Sequence, residues 1–251
     1  MNDYMKKGYI SDIIFDLADK VNLRQYPYNL PALKEMARLP LDDRVTFIVG
    51  ENGSGKSTLI EAIALAYGFN AEGGSINFSF STRNSSSDLY QHIKLNRTAR
   101  HPRDGFFLRA ESFYNVATNI EAMDALPAAS KKIIASYGGR SLHEQSHGES
   151  FLALFLNRFG GKGLYILDEP EAALSSERQL AFMARLHELV HCDSQFIIAT
   201  HSPIIMSYPQ ATIYQIGEHG MKKTDYEETE QYQFMKAYIN NYKKFLHELL
   251  K

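Results

Sequence analysis

The chain contains the segment Gly50-Glu51-Asn52-Gly53-Ser54-Gly55-Lys56-Ser57-Thr58. This segment fits the pattern G-x-x-x-x-G-K-[ST], the phosphate-binding P-loop. Residues 45–49 before it are a β-branched and aromatic run typical of a buried strand, and residues 59–67 after it are apolar at helical spacing up to Gly68. In this order, backbone N–H groups and a helix N-terminus can surround phosphate oxygens. Lys56 would then reach the β- and γ-phosphates of a nucleotide, and Ser57 would hold Mg²⁺.

Length and composition limit the class of protein. With 251 residues, 44% of them hydrophobic, the chain can form one α/β domain over 1–251. A net charge of −2 gives no overall attraction to nucleic acid or to an anionic membrane. One cysteine, Cys192, excludes an internal disulfide framework and suits a reducing cytoplasm. We find no secretory signal and no run of the ~18–20 apolar residues that a membrane span needs, so we expect a cytoplasmic protein without its own span.

Two further apolar runs end in residues with suitable chemistry. Residues 164–167 lead into Asp168 and Glu169, and residues 195–200 lead into His201. Open α/β sheets place ligand chemistry at the carboxyl ends of their strands. Asp168 would coordinate Mg²⁺ through water, and Glu169 would act as general base on the attacking water. If the two strands are neighbours, His201 points to the same edge and could hydrogen-bond the γ-phosphate.

The other elements alternate between strand and helix patterns. Strands are predicted near 10–15, over 76–80, over 105–111 with Glu111 at its end, and in a hairpin over 211–223. Helices are predicted from Pro31 to about Arg38, over 151–156 with Ser150 or Ser146 as cap, and over 180–190. A last helix at about 228–250 has one apolar face, which we expect to dock on the core in preference to a partner helix.

The region at about 73–109 differs in charge from the rest of the chain. Residues 83–109 carry six basic and two acidic side chains. A solvated antiparallel β arm is one interpretation of this region. A surface that contacts a phosphate backbone or the γ-phosphate side of the site is the alternative.

Together these motifs resemble those of ATP-binding-cassette (ABC-type) ATPases. Residues 50–58 resemble Walker A, 164–169 resemble Walker B with its catalytic Glu, 172–175 resemble the D-loop, and His201 resembles the switch histidine. The segment Ser146-His147-Gly148-Glu149 is similar to the signature motif L-S-G-G-[QE], with Gln145 in place of Leu and His147 in place of Gly. Glu111 has the position of the Q-loop glutamine, a metal-contact position, and Gln91 is the alternative for it.

The residues of Walker A and of 168–175 are more similar to those of the SMC, RecF and OLD-like branch than to those of importer and exporter subunits. The whole chain, from about Tyr26 to the C-terminal helix, looks like the small stand-alone ATPases of that branch. The resemblance implies a P-loop NTPase fold of the ABC-ATPase type, in which helices flank a mostly parallel sheet that carries an antiparallel β arm. The interval of 88 residues between Thr58 and Ser146 leaves no room for the long coiled coil of SMC proteins.

The resemblance also implies a mechanism. Two subunits would enclose two ATP·Mg²⁺, with Ser146, Gly148 and Glu149 of one protomer at the γ-phosphate held by Lys56 of the other. The chain would then be an ATP hydrolase and a conformational switch, in DNA repair or defence, with DNA or an unidentified protein as partner. The nucleotide-binding subunit of a transporter and a non-hydrolytic ATP-dependent scaffold are the alternatives. The residue that stacks on adenine stays open between Tyr26 and Tyr28.

Overall fold

A computed structural model describes residues 8–17, 21–76, 87–109, 118 and 147–251. Its strands are β1 Ile10–Phe15, β2 Arg38–Pro40, β3 Val45–Gly50, β4 Gly74–Ser75, β5 Ile93–Arg97, β6 Asp104–Arg109, β7 Gly163–Asp168, β8 Gln195–Ala199, β9 Thr212–Gly217 and β10 Gly220–Thr224. Its helices are α1 Lys56–Tyr67, α2 His147–Asn157, α3 Ser176–His191, α4 Pro203–Met206 and α5 Glu230–Leu249. Residues 77–86 of the predicted arm, which include most of the strand predicted over 76–80, and Glu111 lie outside the described residues.

The central sheet has seven strands in the order β10-β9-β3-β8-β7-β6-β4. The five inner strands, β9, β3, β8, β7 and β6, run parallel, and only the outer strands β10 and β4 pair antiparallel. Strands β3, β7 and β8 are buried along their whole length, as expected for parallel strands covered on both faces. The predicted α/β class with a mostly parallel sheet is therefore confirmed.

The core lies on both faces of this sheet because successive side chains of a strand point to opposite sides. In β7, Tyr165 and Leu167 join one apolar cluster, whereas Leu164 and Ile166 join the other. Helices α2 and α3 complete the first cluster, where the rings of Phe155 and Phe182 have centroids 4.2 Å apart. Helix α1 completes the second cluster, so the helix that follows the P-loop is anchored against the sheet.

The antiparallel arm is a separate three-stranded sheet in the order β2-β1-β5. The carboxylate of Asp12, at its centre, accepts hydrogen bonds from Arg38 Nε at 3.0 Å and from Asn96 Nδ2 at 2.8 Å. Apolar side chains of β1 and β5 join the cluster around α1. This sheet therefore covers the P-loop helix. Of the described strands in the arm predicted at about 73–109, only β5 belongs to it, whereas β4 and β6 belong to the central sheet.

Two local predictions are wrong. The helix predicted from Pro31 to about Arg38 is one 3-10 turn, Pro31–Leu33, because Glu35 has a left-handed φ of 54° and Arg38 already pairs with β1. Ser150 does not cap the helix over 151–156, because that helix begins at His147 and places Ser150 in its interior. Ser146, the other candidate cap, lies outside the described residues.

The C-terminal helix does not dock on the core. None of its residues is buried, and Phe234 and Ile239 are 63% and 64% exposed. The helix is broken at Asn241, where φ is −136°. The rings of Phe234 and Phe245 have centroids 6.5 Å apart, whereas a straight helix would separate these positions by about 16 Å. The segment therefore folds back on itself and packs mainly against its own aromatic side chains.

Within the described ranges, we find no helix with both the length and the hydropathy to cross a membrane.

Candidate nucleotide-binding site

The glycine-rich loop joins the end of β3 to the start of α1. Gly55 precedes the helix with a left-handed φ of 101°, and a Cβ there would lie 3.1 Å from Leu30 Cβ and 3.2 Å from Ala32 Cβ. Only glycine adopts this conformation without strain in so small a space. The backbone N–H of Ala32 also donates to Ser54 O at 3.1 Å. The loop is thus held from outside by the 3-10 turn at Pro31–Leu33.

Lys56 lies inside the loop and is 4% exposed. Its Nζ donates to Gly50 O at 3.1 Å and to Glu51 O at 2.9 Å. Burial lowers the pKa of Lys56, and the nearby carboxylates, Glu169 first, oppose that shift. An ammonium held by two neutral carbonyls would gain from an anionic acceptor, since charge-assisted hydrogen bonds are the stronger ones.

The end of β7 brings a carboxylate to the first turn of α1. Ser57 Oγ donates to Asp168 Oδ1 at 3.0 Å, and Asp168 is buried. A hydroxyl and a carboxylate are oxygen ligands of the kind that Mg²⁺ prefers, completed by water and by substrate phosphates. In the described part of the chain, no cluster of three or more His, Cys, Asp or Glu side chains could hold a metal unaided. The donor set therefore fits Mg²⁺ delivered with a nucleotide.

Glu169 follows β7 in a strained conformation. Its φ of 51° and ψ of 55° are left-handed, although it is not glycine and although Pro170 follows it. Its N–H donates to Ala199 O at 3.0 Å, which ties the strained residue to the end of β8. Backbone strain of about 1–3 kcal/mol that is held by its surroundings is typical of functional positions.

Strand β8 lies beside β7, as predicted, and delivers His201 to the same edge. His201 Nε2 is 3.2 Å from Glu169 Oε1. Neither His201 Nε2 nor Ser54 Oγ makes a hydrogen bond of good geometry within the described residues, although both atoms are buried. Two polar atoms that need partners thus lie at the P-loop and beside Glu169, and phosphate oxygens would satisfy both.

The signature-like segment contacts the turn that follows Glu169. A Cβ on Gly148 would collide with the carbonyl oxygen of Ala173, so the close approach of α2 to this turn requires glycine. Glu149 Oε1 pairs with Arg178 Nη2 at 3.4 Å, and Ser175 caps α3. Gly148 and Glu149 are thus joined to the D-loop, whereas Ser146 lies outside the described residues.

Glu111, the residue predicted for the Q-loop, lies outside the described residues. Strand β6 ends level with β7, since Arg109 is paired with Asp168 in the register. Arg109 Nη1 also forms an ion pair with Glu61 Oε2 of α1 at 2.7 Å. The chain therefore leaves β6 at the same edge of the sheet as Asp168.

Two features of the site were missed or left open by the sequence. Glu171 Oε1 accepts a hydrogen bond from the backbone N–H of His201, a long-range contact that no local pattern reveals. Of the two tyrosines, Tyr28 is buried against His92, whereas Tyr26 is 65% exposed and its Oη lies 3.3 Å from Thr58 Oγ1. Of these two tyrosines, Tyr26 is therefore the one with an exposed ring beside the P-loop.

This fold and this site define a P-loop ATPase, with its motifs in the order of the ABC type. The class predicted from the sequence is thereby confirmed. A model of the AAA domain family matches residues 22–134, which include the whole P-loop. Among curated proteins, no sequence match to the chain is found.

Several solved structures are similar to the chain at low sequence identity. A metal-chelate type ABC transporter in an inward-facing conformation is 16% identical with a TM-score of 0.49, and the match covers 90% of this chain and 88% of that one. A nucleotide-free ATP-binding cassette from an ABC transporter is 15% identical with a TM-score of 0.49, over 91% and 95% of the two chains. The SMC head domain from Thermotoga maritima is 17% identical with a TM-score of 0.42, over 86% and 98%.

Proposed function

We propose that the chain binds ATP·Mg²⁺ between two copies of itself, hydrolyses ATP, and acts as a conformational switch. One observation carries this proposal: Lys56, Ser57, Asp168, Glu169 and His201 meet at one edge of the sheet, although they come from three separate segments. That set can hold phosphates, complete a magnesium site and activate water. A binding scaffold without hydrolysis would not need Glu169 in a strained conformation beside a histidine.

The residues have distinct roles in this proposal. Backbone N–H groups of residues 50–58 surround the phosphates, and Lys56 binds the β- and γ-phosphates. Ser57 and Asp168 would hold Mg²⁺, which would neutralise charge on the phosphate oxygens, and Glu111 would add a ligand. Glu169 would accept a proton from the attacking water as the water oxygen bonds to the γ-phosphorus and the bond from the γ-phosphorus to the bridging oxygen breaks, which releases ADP and phosphate. His201 would donate to the γ-phosphate. Catalysis is then mostly positional and electrostatic.

The dimer follows from the resemblance to ABC-type ATPases and from the position of the signature-like segment. Ser146, Gly148 and Glu149 would complete the γ-phosphate site of the facing protomer. Through Ala173 and Arg178, Gly148 and Glu149 are joined to the segment that carries Glu169. Closure of the dimer around ATP would therefore act on both sites together.

Specific ATPase activity is expected to rise with protein concentration until the dimer is saturated, because each site needs residues of the second protomer. Steady-state phosphate release from about 10 nM to 10 µM protein, with ATP in excess, would measure this, with Glu169→Gln as the blank at every concentration. A specific activity that stays constant over this range, in a protein that sedimentation with ATP shows to be monomeric, would contradict the dimer proposal.

Replacing Tyr26 with Ala is expected to weaken ATP binding by about 2- to 12-fold, since a stacked aromatic pair contributes roughly 0.5–1.5 kcal/mol. Tyr26→Phe keeps the ring and should bind ATP almost normally. Titration with ATP and, in parallel, with inorganic triphosphate separates the base from the phosphates. An equal loss of affinity for both ligands would show that Tyr26 does not contact the adenine.

The output of the ATP cycle is proposed to involve either DNA or a membrane partner. DNA as a partner rests on the basic residues of 83–109. Among those that the structure describes, Arg97, Arg100 and Arg109 contact groups of this chain, and Lys94, Arg97 and Arg103 are exposed. The nucleotide-binding subunit of a transporter is the alternative, and the single cysteine favours a cytoplasmic location in either case. ATP hydrolysis measured with and without duplex DNA at low salt distinguishes the two, because phosphate contacts weaken steeply with ionic strength.

A further inference from the structure

The loop that carries His201 is held by a carboxylate from the turn that follows the neighbouring parallel strand β7. Glu171 Oε1 accepts hydrogen bonds from the backbone N–H groups of His201, at 2.5 Å, and of Ser202, at 3.2 Å. Both donors belong to the loop between β8 and α4, and the acceptor belongs to the 3-10 turn Pro170–Ala173 after β7. One side chain thus fixes two consecutive peptide groups at the histidine.

A second side chain, Gln179 of α3, holds the same loop. Ser202 Oγ donates to Gln179 Oε1 at 2.5 Å, and the same Oγ accepts from Ile204 N at 3.1 Å, which caps α4. Gln179 in turn donates to Leu174 O at 3.1 Å. Gln179 therefore holds the loop at the side chain of Ser202. Glu171 holds it at the backbone N–H groups of His201 and Ser202.

The position of Glu171 is chemically costly. Burial raises the pKa of Glu171, and the N–H of His201 is the first of the donors that oppose the shift. A carboxylate that loses hydration in a protein interior destabilises the fold unless it is well hydrogen-bonded. The two hydrogen bonds from the His201 loop offset part of this cost, so the acceptor oxygen of Glu171 and the loop hold each other in place.

The contact between Glu171 and the His201 loop joins two segments that each carry a residue of the proposed reaction site. Glu171 lies two residues after Glu169, in the turn that Glu169 begins, and His201 Nε2 lies 3.2 Å from Glu169 Oε1. A displacement of the His201 loop would change the distance from the imidazole to both Glu169 and the γ-phosphate. Hydrogen bonds to backbone N–H groups limit such a displacement directly.

We propose that Glu171 is a positioning residue for ATP hydrolysis, which holds the His201 peptide so that the imidazole stays beside Glu169 and the γ-phosphate. This inference rests on the proposed function. It assigns no contact between Glu171 and the nucleotide. It requires that Glu171 act through His201.

The test compares Glu171→Ala and Glu171→Gln with His201→Ala and with the double variant Glu171→Ala/His201→Ala. Glu171→Ala is expected to lower kcat about tenfold, with the Kd for ATP within twofold of the wild-type value. Glu171→Gln keeps an acceptor oxygen and should recover most of the loss. The double variant should be no slower than His201→Ala alone, because residues that act as one unit are not additive. Glu177→Ala removes an exposed carboxylate from the same region and should leave kcat unchanged.

Two results would overturn the inference. One is a double variant whose losses multiply, which would mean that Glu171 acts independently of His201. The other is unchanged amide hydrogen exchange at His201 and Ser202 in Glu171→Ala, where we expect at least tenfold faster exchange. The exchange measurement needs no activity. If the wild-type chain bound ATP without hydrolysing it, the proposed function would fail, whereas faster exchange would still support the contact between Glu171 and the His201 loop.

Discussion

Replacing Glu169 with Gln is expected to reduce kcat by roughly 10²–10⁴-fold, the usual contribution of a general base. Gln keeps the size of the side chain but cannot accept the proton of the attacking water. Lys56, Ser57 and Asp168 are untouched, so ATP binding should persist. ATP that is bound but not hydrolysed should then hold the dimer closed, and sedimentation with Mg²⁺ and ATP should detect dimers of the variant.

The matched control is Glu177→Gln, which makes the same chemical change on an exposed carboxylate of α3. It should retain the wild-type kcat and show no lasting dimer after ATP is consumed. Normal turnover by Glu169→Gln would remove Glu169 from the role of base. Loss of ATP binding in that variant would indicate that the carboxylate serves the structure of the site instead.

Replacing Gly148 with Ala is expected to have the second largest effect. The new Cβ would collide with the carbonyl oxygen of Ala173 and would lie 2.6 Å from Arg178 Nη1. The arginine can move aside, but the carbonyl belongs to the backbone of the turn after Glu169, so α2 or that turn must shift. We expect ATPase activity to fall at least tenfold and the free energy of unfolding to fall by about 1–3 kcal/mol, as for other overpacked sites. In the proposed dimer Gly148 acts on the nucleotide of the facing protomer, so the affinity of the monomer for ATP should change little.

Gly160→Ala is the control for this change. A Cβ at Gly160 would meet only Asp104 Oδ2, at 3.9 Å, an ordinary contact. Phosphate release and thermal unfolding of both variants, measured side by side, should therefore leave Gly160→Ala near the wild type. If Gly148→Ala released phosphate and unfolded like Gly160→Ala, the contact between Gly148 and Ala173 would be unnecessary for activity and stability.

The fold class and the common location of most candidate site residues could be predicted because their signals are local. Residues 50–58 carry the P-loop as a continuous pattern, and the apolar runs of β3, β7 and β8 are short, unbroken and followed by polar residues. Such runs fit only strands covered on both faces, so a parallel sheet with Asp168, Glu169 and His201 at one edge followed. The signature-like and D-loop segments were recognised from their resemblance to a known family.

Other properties depended on which distant segments meet. Local periodicity predicted an apolar face on the C-terminal helix, but the kink at Asn241 and the exposure of that face depend on tertiary packing. Pro31 begins a helical turn, yet the pairing of Arg38 with β1 and the left-handed Glu35 end it. Exposure of Tyr26 and burial of Tyr28, two residues apart, likewise depend on neighbours far along the chain.

What the residues determine alone is therefore the set of candidate groups: a phosphate-loop pattern, the carboxylates Asp168 and Glu169, and His201, each marked by its own short context. Tertiary structure decided how these groups are held. The contact of Gly148 with Ala173, the pair of His201 and Glu169, and the bonds from the His201 loop to Glu171 join segments that are between 25 and 32 residues apart in the sequence. The physical reason is that strand order and side-chain burial are set by long-range packing of the two cores, which a local pattern does not contain.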